Sequence, residues 1–312
     1  MKKVLHSILL LISVVSTNSI AGTYILPPEG IDIFGETFTI KATEEDTLLD
    51  IGRRYGVGFN EMKSANPGVD MWVPGKGTTV TIPTQFILPP GPREGVVVNV
   101  AEMRIYYYLN PKKNEKPMIT TFPISVGRMD WNTPLGETKI IAKVKDPAWY
   151  PPQSIRDEHE ADGDPLPRRV PPGPDNPLGQ YAMRLGIPGY LIHGTNKPQG
   201  LGMRVTHGCI RMYPEDIEYF FSIVPKGTKV RIINAPYKAG WLMDKLYLEA
   251  HELLEEDEIQ HKAFDNYEPL VDAIARATEH RLEKIDRFAI KQVSNEKTGV
   301  PQPISRISTE IQ

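Results

Sequence analysis

Thr206-His207-Gly208-Cys209-Ile210-Arg211 holds the only cysteine of the chain, and His193-Gly194-Thr195-Asn196 begins sixteen residues before that cysteine. A lone cysteine has no partner for an internal disulfide. Two nearby histidines make it a candidate nucleophile with candidate bases. A free thiol has a pKa of about 8.5, so only a few per cent is thiolate at neutral pH, and a base must raise that fraction. If the segment is extended, His207 and Cys209 point to one face. Gly208 lets the backbone approach a substrate, and neighbouring N–H groups could then stabilise an oxyanion, typically by about 3 kcal/mol per donor.

The amino terminus reads as an export leader. Met1-Lys2-Lys3 is basic, Ile8 to Val15 is apolar, and Ser19-Ile20-Ala21 offers small residues for cleavage after Ala21. The apolar run is shorter than the roughly 20 residues of a membrane span, which disfavours a retained anchor. The mature chain is therefore expected in a compartment outside the cytoplasm. The 36 basic and 39 acidic residues give a net charge of −3, and the leader removes two lysines more. That balance argues against a nucleic-acid partner. With 29 prolines and 25 glycines, short strands and long connections are favoured over a helical bundle.

The chain divides into several units. Residues 22–37 read as a linker. Residues 38–83 read as strand–helix–helix–strand: Phe38 and Ile40 alternate, Asp46-Thr47 caps a helix carrying Leu48, Leu49, Ile51 and Tyr55, and Asn66-Pro67 stops a second helix begun near Asn60. Val80 and Ile82 close the unit. Asp46-Thr47-Leu48, Ile51, Tyr55, Asn66-Pro67, Trp72-Val73-Pro74, Gly77 and Ile82-Pro83 resemble a LysM module, which implies binding of glycan containing N-acetylglucosamine. Residues 84–94, with Pro89-Pro90-Gly91-Pro92, read as a stiff hinge.

Residues 95–234 are strand-rich, with apolar runs at Val96–Val100, Arg104–Tyr108, Phe122–Gly127, Thr138–Val144 and Lys229–Ile233. They suggest a sandwich or partial barrel. Between Asp146 and Gly179 lie nine prolines and little strand signal. So long a loop beside the cysteine segment reads as a lid. Residues 235–312 read as a helical extension. Leu242, Leu246, Ala250 and Leu253 fall on one helical face, and Val271, Ile274, Leu282, Ile285 and Ala289 on another, with the second helix starting near Pro269. Residues 294–312 read as disordered.

The cysteine segment then carries a closer resemblance. His193-Gly194-Thr195 followed by Thr206-His207-Gly208-Cys209-Ile210-Arg211 resembles the active-site pattern of the YkuD-type L,D-transpeptidases. Phe122 to Gly127, Thr133-Pro134-Leu135-Gly136 and Pro172 to Gly179 support it. Thr206 stands where Ser is commoner, and Arg211 where many members have Asn, which resembles the periplasmic ErfK/YbiS/YcfS/YnhG-like branch with an N-terminal LysM module. The resemblance implies a multidomain protein with a mainly β, sandwich-like catalytic domain. It implies Cys209 as nucleophile, His193 as base with its ring held by the Gly194 carbonyl, and His207 shaping the pocket near the thiol. Arg211 suits a substrate carboxylate. The implied reaction is acyl transfer from a peptidoglycan stem tetrapeptide, with neither metal nor cofactor. The acceptor is expected to be the C-terminal lysine of an outer-membrane lipoprotein, with stem diaminopimelate or water as alternatives. A papain-like hydrolase is disfavoured because its cysteine usually precedes its histidine. A zinc site of His193, His207 and Cys209 lacks a fourth ligand at a recognisable spacing. His159, His251, His261 and His280 read as surface residues.

Overall fold

The computed structural model describes residues 22–109, 111, 113–264, 267–279 and 285–305. The leader and its cleavage site lie outside the described residues. The first strand, β1 (Thr23–Ile25), pairs antiparallel with a strand of the central sheet, Thr23 opposite Thr120. Next come β2 (Ile33–Lys41), α1 (Leu48–Tyr55), α2 (Phe59–Ala65) and β3 (Thr79–Ile87). Residues 22–37 are thus not a linker, because their backbone hydrogen bonds are taken up by β1 and the start of β2. The pairing of β2 with β3 runs from Ile33–Ile87 to Lys41–Thr79, so the hairpin extends beyond both ends of the 38–83 unit.

The strand–helix–helix–strand order follows local chemistry. The Thr47 hydroxyl accepts the Asp50 N–H at 3.0 Å, and Gly56 ends α1 in the left-handed region. Leu48, Ile51, Val57, Met62, Val80 and Ile82 form its buried core. Asn66 is itself buried and accepts the Thr81 N–H at 2.7 Å, which ties the helices to β3.

The central sheet comprises nine strands in the order β1-β6-β5-β4-β13-β8-β9-β10-β12 among the described residues. Its members beyond β1 are β4 (Gly95–Asn99), β5 (Arg104–Leu109), β6 (Met118–Pro123), β8 (Gly136–Lys145), β9 (Tyr181–Leu185), β10 (Leu191–His193), β12 (Ile210–Arg211) and β13 (Lys229–Ile233). The short β7 (Val126–Gly127) pairs in parallel with β11 (Arg204–Thr206). Ser125, just after β6, exchanges both backbone hydrogen bonds with Arg211 of the far edge, each 2.9 Å. The sheet therefore curls until its two sides meet, closer to the partial barrel than to the sandwich. Val98, Ile105, Phe122, Ile140, Met183, Ile192, Ile210 and Ile232 line its interior, and Ile217 and Phe220 of α4 (Pro214–Ile223) fill it. Burying such side chains is the main source of stability, at roughly 25 cal/mol per Å² of apolar surface.

The hinge is short and tied down. Leu88 is buried, Arg231 donates to the carbonyls of Pro90 and Pro92, and Arg93 bonds Asp32 at 2.8 Å. The segment expected as an irregular lid carries a helix, α3 (Gln153–Ala161), and a bridge between Trp149 and Val170.

The carboxy-terminal part is not purely helical. Residues expected on a helical face form a hairpin, β14 (Tyr237–Leu242) with β15 (Lys245–Ala250), turning at Met243-Asp244. Leu246, Leu248 and Ala250 alternate into one core, so the period is two rather than 3.6. Then follow α5 (Glu255–Phe264), α6 (Glu268–Thr278), α7 (Arg287–Glu296) and β16 (Gln302–Pro303), which pairs with β15. Pro269 does open α6, and Leu270, Ala273 and Ile274 pack inward, while Val271 is exposed. Ile285 and Ala289 do not continue that helix: Ile285 bridges Ser305, and Ala289 lies on α7. Leu282 lies outside the described residues. Residues 294–305 are ordered because Ile304 is fully buried and its N–H donates to the Leu246 carbonyl at 2.8 Å. Residues 306–312 lie outside the described residues.

Candidate active site

The parallel pairing of β10 with β12 sets Ile192 beside Ile210 and His193 beside Arg211. Both isoleucines enter the barrel core, so alternation turns His193 and Arg211 to the opposite face. Cys209 precedes β12 and is half-buried, with Sγ 3.7 Å from the Gly189 carbonyl oxygen. His193 is buried, and its Nδ1 lies 2.7 Å from the Gly194 carbonyl oxygen. That carbonyl can only accept, so Nδ1 carries the proton and Nε2 keeps a lone pair.

Burial, reinforced by the Arg211 charge, pushes the His193 pKa down to about 3, so the ring is neutral. Burial pushes the Cys209 thiol up, opposed by the Leu191 backbone N–H and the Arg211 charge. Arg211 thus acts on both groups. Its own Nε is buried and lacks a hydrogen-bond partner among the described residues. The arrangement offers a neutral imidazole, a thiol and an uncommitted guanidinium edge on one surface.

The turn carrying the thiol is not extended. Gly208 sits at φ +94°, and a Cβ there would stand 2.7 Å from Tyr190 Cε1, so glycine is needed twice over. The turn rotates His207 away from the alignment with Cys209 that an extended strand would give. Its Nε2 meets Glu158 Oε2 at 3.0 Å, and Trp131 stands edge-on to its ring at 5.1 Å. Burial lowers the His207 pKa, against the pull of Glu158. Thr206 donates to the Cys209 carbonyl at 2.6 Å, and Thr133 donates to the Gly208 carbonyl at 2.8 Å. Thr133 also accepts the Gly127 N–H at 3.0 Å, which welds the turn to β7.

Sequence reasoning missed Glu158, Trp131, Gly189 and Tyr190. Pro151-Pro152 ahead of Gln153 was the available signal for α3, since proline favours helix starts. His251 is not a surface residue: it is buried and its Nε2 lies 2.6 Å from Glu249. His159 is partly exposed beside Asp164, while the side chains of His261 and His280 lie outside the described residues. Glu102, Glu249 and His251 converge closely enough to suit a cation. Lys238 Nζ already lies 2.8 Å from Glu102 and 2.7 Å from Glu249, so the pair of carboxylates holds an ammonium.

Among the described residues, no helix is long and apolar enough to cross a membrane. The family model of the L,D-transpeptidase catalytic domain, YkuD, matches residues 93–232. "Probable L,D-transpeptidase ErfK/SrfK" of Salmonella typhimurium is 40% identical over 93% of this chain and 94% of its own length. "Probable L,D-transpeptidase YcfS" of Escherichia coli is 46% identical over 70% of this chain and 69% of its own. "Probable L,D-transpeptidase YbiS" of Escherichia coli is 39% identical over 90% and 91%. With 39–40% identity over 90% or more of its length to two of these relatives, the chain belongs to the ErfK-like L,D-transpeptidases and is a transpeptidase enzyme.

Proposed function

We propose that the mature chain works in the periplasm on peptidoglycan stem tetrapeptides, through a thioester on Cys209. The observation that carries this reading is the β10–β12 register, which places His193 and Arg211 side by side next to the thiol turn. His193 Nε2 takes the thiol proton, and Cys209 attacks the carbonyl of the third stem residue. The C–S bond forms and the bond to the terminal D-alanine breaks, with the imidazolium returning its proton to the leaving amine. An acceptor amine then attacks the thioester, forming a new amide and freeing the thiolate, which is reprotonated. One amide replaces another, so no outside energy is required. A pKa of about 3 keeps His193 unprotonated at neutral pH, with its Nε2 lone pair open but weakly basic before substrate binds. Arg211, whose Nε is unpartnered among the described residues, would receive a stem carboxylate. Burial is the larger cause of the depressed His193 pKa, but a carboxylate there would offset the part due to the Arg211 charge and strengthen the base when substrate is present.

For the acceptor, we favour the C-terminal lysine of an outer-membrane lipoprotein over a second stem diaminopimelate or water. The support is the similarity to the ErfK-like relatives and the acidic net charge, which does not repel an ammonium group. The strand–helix–helix–strand unit is assigned to glycan binding on its LysM resemblance, with Trp72 exposed on its surface. The deciding assay incubates enzyme, tetrapeptide sacculi and a peptide ending in lysine. Muropeptides carrying the peptide on diaminopimelate support anchoring. Only stem-to-stem dimers, with peptide in excess, refute the acceptor, and no product of any kind refutes the donor assignment.

A further inference from the structure

The carboxylate of Glu158 reaches the thiol turn from α3, on the proline-rich segment between β8 and β9. Each of its oxygens has its own partner. Oε2 faces His207 Nε2 at 3.0 Å, and Oε1 pairs with the Arg128 guanidinium. A carboxylate held at both oxygens cannot swing away without breaking the other bond. It is also held in its charged state, because Arg128 and His207 keep its pKa below the usual carboxylate range. An ionised carboxylate only accepts, so the His207 proton resides on Nε2 and, in the neutral ring, Nδ1 is left as an acceptor. Trp131 closes another side of the ring. The charged and titratable groups acting on this ring are Glu158 and His159 of α3 and Arg128 after β7, with Cys209 two residues along the same turn.

The helix that presents Glu158 is itself anchored. Trp149 and Val170 exchange backbone hydrogen bonds of 2.9 and 2.8 Å across the segment. Buried Asn176 donates to the carbonyls of Pro147 and Pro171 at 2.8 and 3.0 Å. The Glu158 and His207 side chains remain 31% and 24% exposed. Partly exposed pairs of this kind contribute little to stability, because solvent screens them and ordering both side chains costs entropy. Stabilising the fold is therefore a poor account of a carboxylate–imidazole hydrogen bond aimed at the residue two before the thiol.

We infer that Glu158 is a positioning residue of the transfer reaction, fixing the tautomer and orientation of His207 and tying the geometry at Cys209 to the docked state of the 146–180 segment. This rests on Cys209 being the nucleophile. The path is short: His207 leads through Gly208, whose carbonyl is held by Thr133, to Cys209. A ring released from Glu158 loosens one of the side-chain ties on that turn.

The test compares full-length mature enzyme with Glu158→Gln, Glu158→Ala and Cys209→Ala, using a soluble tetrapeptide donor and a lysine peptide acceptor. Rates of Cys209 alkylation by iodoacetamide are followed from pH 5 to 9. Misplacement by about 1 Å can cost on the order of 10²-fold, so Glu158→Ala should lower kcat by roughly 10- to 100-fold with KM within about threefold. Glu158→Gln, which keeps an acceptor but not the charge, should fall between. In both variants the alkylation profile should gain an inflection at lower pH than in the wild type, because the carboxylate raises the His207 pKa. The melting temperature should not change. Activity within twofold of wild type for Glu158→Ala would overturn the inference. So would a kcat loss accompanied by a lower melting temperature and an unshifted alkylation profile, since that is what a purely structural role gives. An active Cys209→Ala enzyme would instead overturn the nucleophile on which the inference rests.

Discussion

Asp216 offers a quantitative test of the seam between the helical module and the barrel. It lies in the first turn of α4, is only 6% exposed, and its Oδ2 has no hydrogen-bond partner among the described residues. Burial, with a contribution from neighbouring Glu215, raises its pKa from 3.8 to about 8, despite the opposing charges of Arg104 and Arg53. The folded state therefore keeps a proton that the unfolded chain releases above pH 4. Where the native state binds more protons, stability falls as pH rises, by about 1.4 kcal/mol per pH unit for one group. Between pH 4 and pH 7 the accumulated loss is about 4 kcal/mol. Asp216→Asn removes that slope. The amide needs hydrogen-bond partners as well, at a cost of about 1–3 kcal/mol if left unmet. The variant should thus match or fall slightly below wild type at pH 4.5 and exceed it by about 2 kcal/mol at pH 7.5. His193 contributes in the opposite sense: its pKa is depressed to about 3, so its stabilisation is complete above its unfolded value of 6.5 and is lost as pH falls. That contribution is common to both proteins and cancels in the difference. Urea unfolding of both proteins at half-unit pH steps reads the effect directly. Parallel stability curves, or a variant less stable throughout, would refute the reasoning.

Three further outcomes follow from the site. Cys209→Ala and Cys209→Ser should each abolish transfer with unchanged circular dichroism, since an alkoxide is much harder to form than a thiolate, and near-normal turnover by either would refute the thioester route. Gly208→Ala should lower kcat by at least about tenfold, because its Cβ would collide with Tyr190 and the backbone is in the left-handed region, and a crystal structure should show the turn displaced. In Arg211→Met the His193 and Cys209 pKa values should both rise, so alkylation of Cys209 shifts to higher pH, and a profile identical to wild type would show that Arg211 does not act on the thiol.

The parts of the fold that were legible in the sequence are those set by local chemistry. Thr47 as a cap, Asn66-Pro67 as a stop and the apolar runs of β4, β5 and β13 act within a few residues, and each stands where its pattern placed it. The carboxy-terminal hairpin was misread because Leu242, Leu246, Ala250 and Leu253 fit a helical spacing, while Tyr237, Lys238 and Glu249 carry the information that decides. Lys238 and Glu249 are buried only because Glu102, His251 and the Ile87 backbone meet them there. No sequence window spans that set. The same holds at the site. The motif displays Cys209, His193, His207 and Arg211, but the partner of His207 arrives from 49 residues away on a helix hidden among prolines.

The long-range ties also bear on how the module works. Arg104, in β5, is 1% exposed and makes a two-pronged pair with Glu61 of α2, at 2.7 and 2.9 Å. Arg53 of α1 does the same with Glu215 of α4, at 2.7 and 2.9 Å. Between these pairs, the N–H groups of Phe59 and Asn60 donate to the carbonyls of Leu201 and Gly202. Gly202 sits at φ +88°, where a Cβ would lie 2.4 Å from the Phe59 nitrogen. Leu201 and Gly202 belong to the connection between His193 and the cysteine motif, so the module is packed against the active-site loop itself. Meanwhile β1 completes the central sheet, and Phe34, Phe86 and Leu88 cover Tyr106 and Tyr108 on its outer face. Excising residues 22–90 would therefore remove a strand and an apolar layer of the catalytic domain, not a detachable anchor. Breaking a buried pair such as Arg104–Glu61 typically costs about 3–5 kcal/mol. A module held this firmly does not search for glycan at the end of a tether. In the proposed function, where this unit binds glycan and Cys209 attacks the stem, such rigid seating would fix the direction from which the stem peptide reaches the thiol.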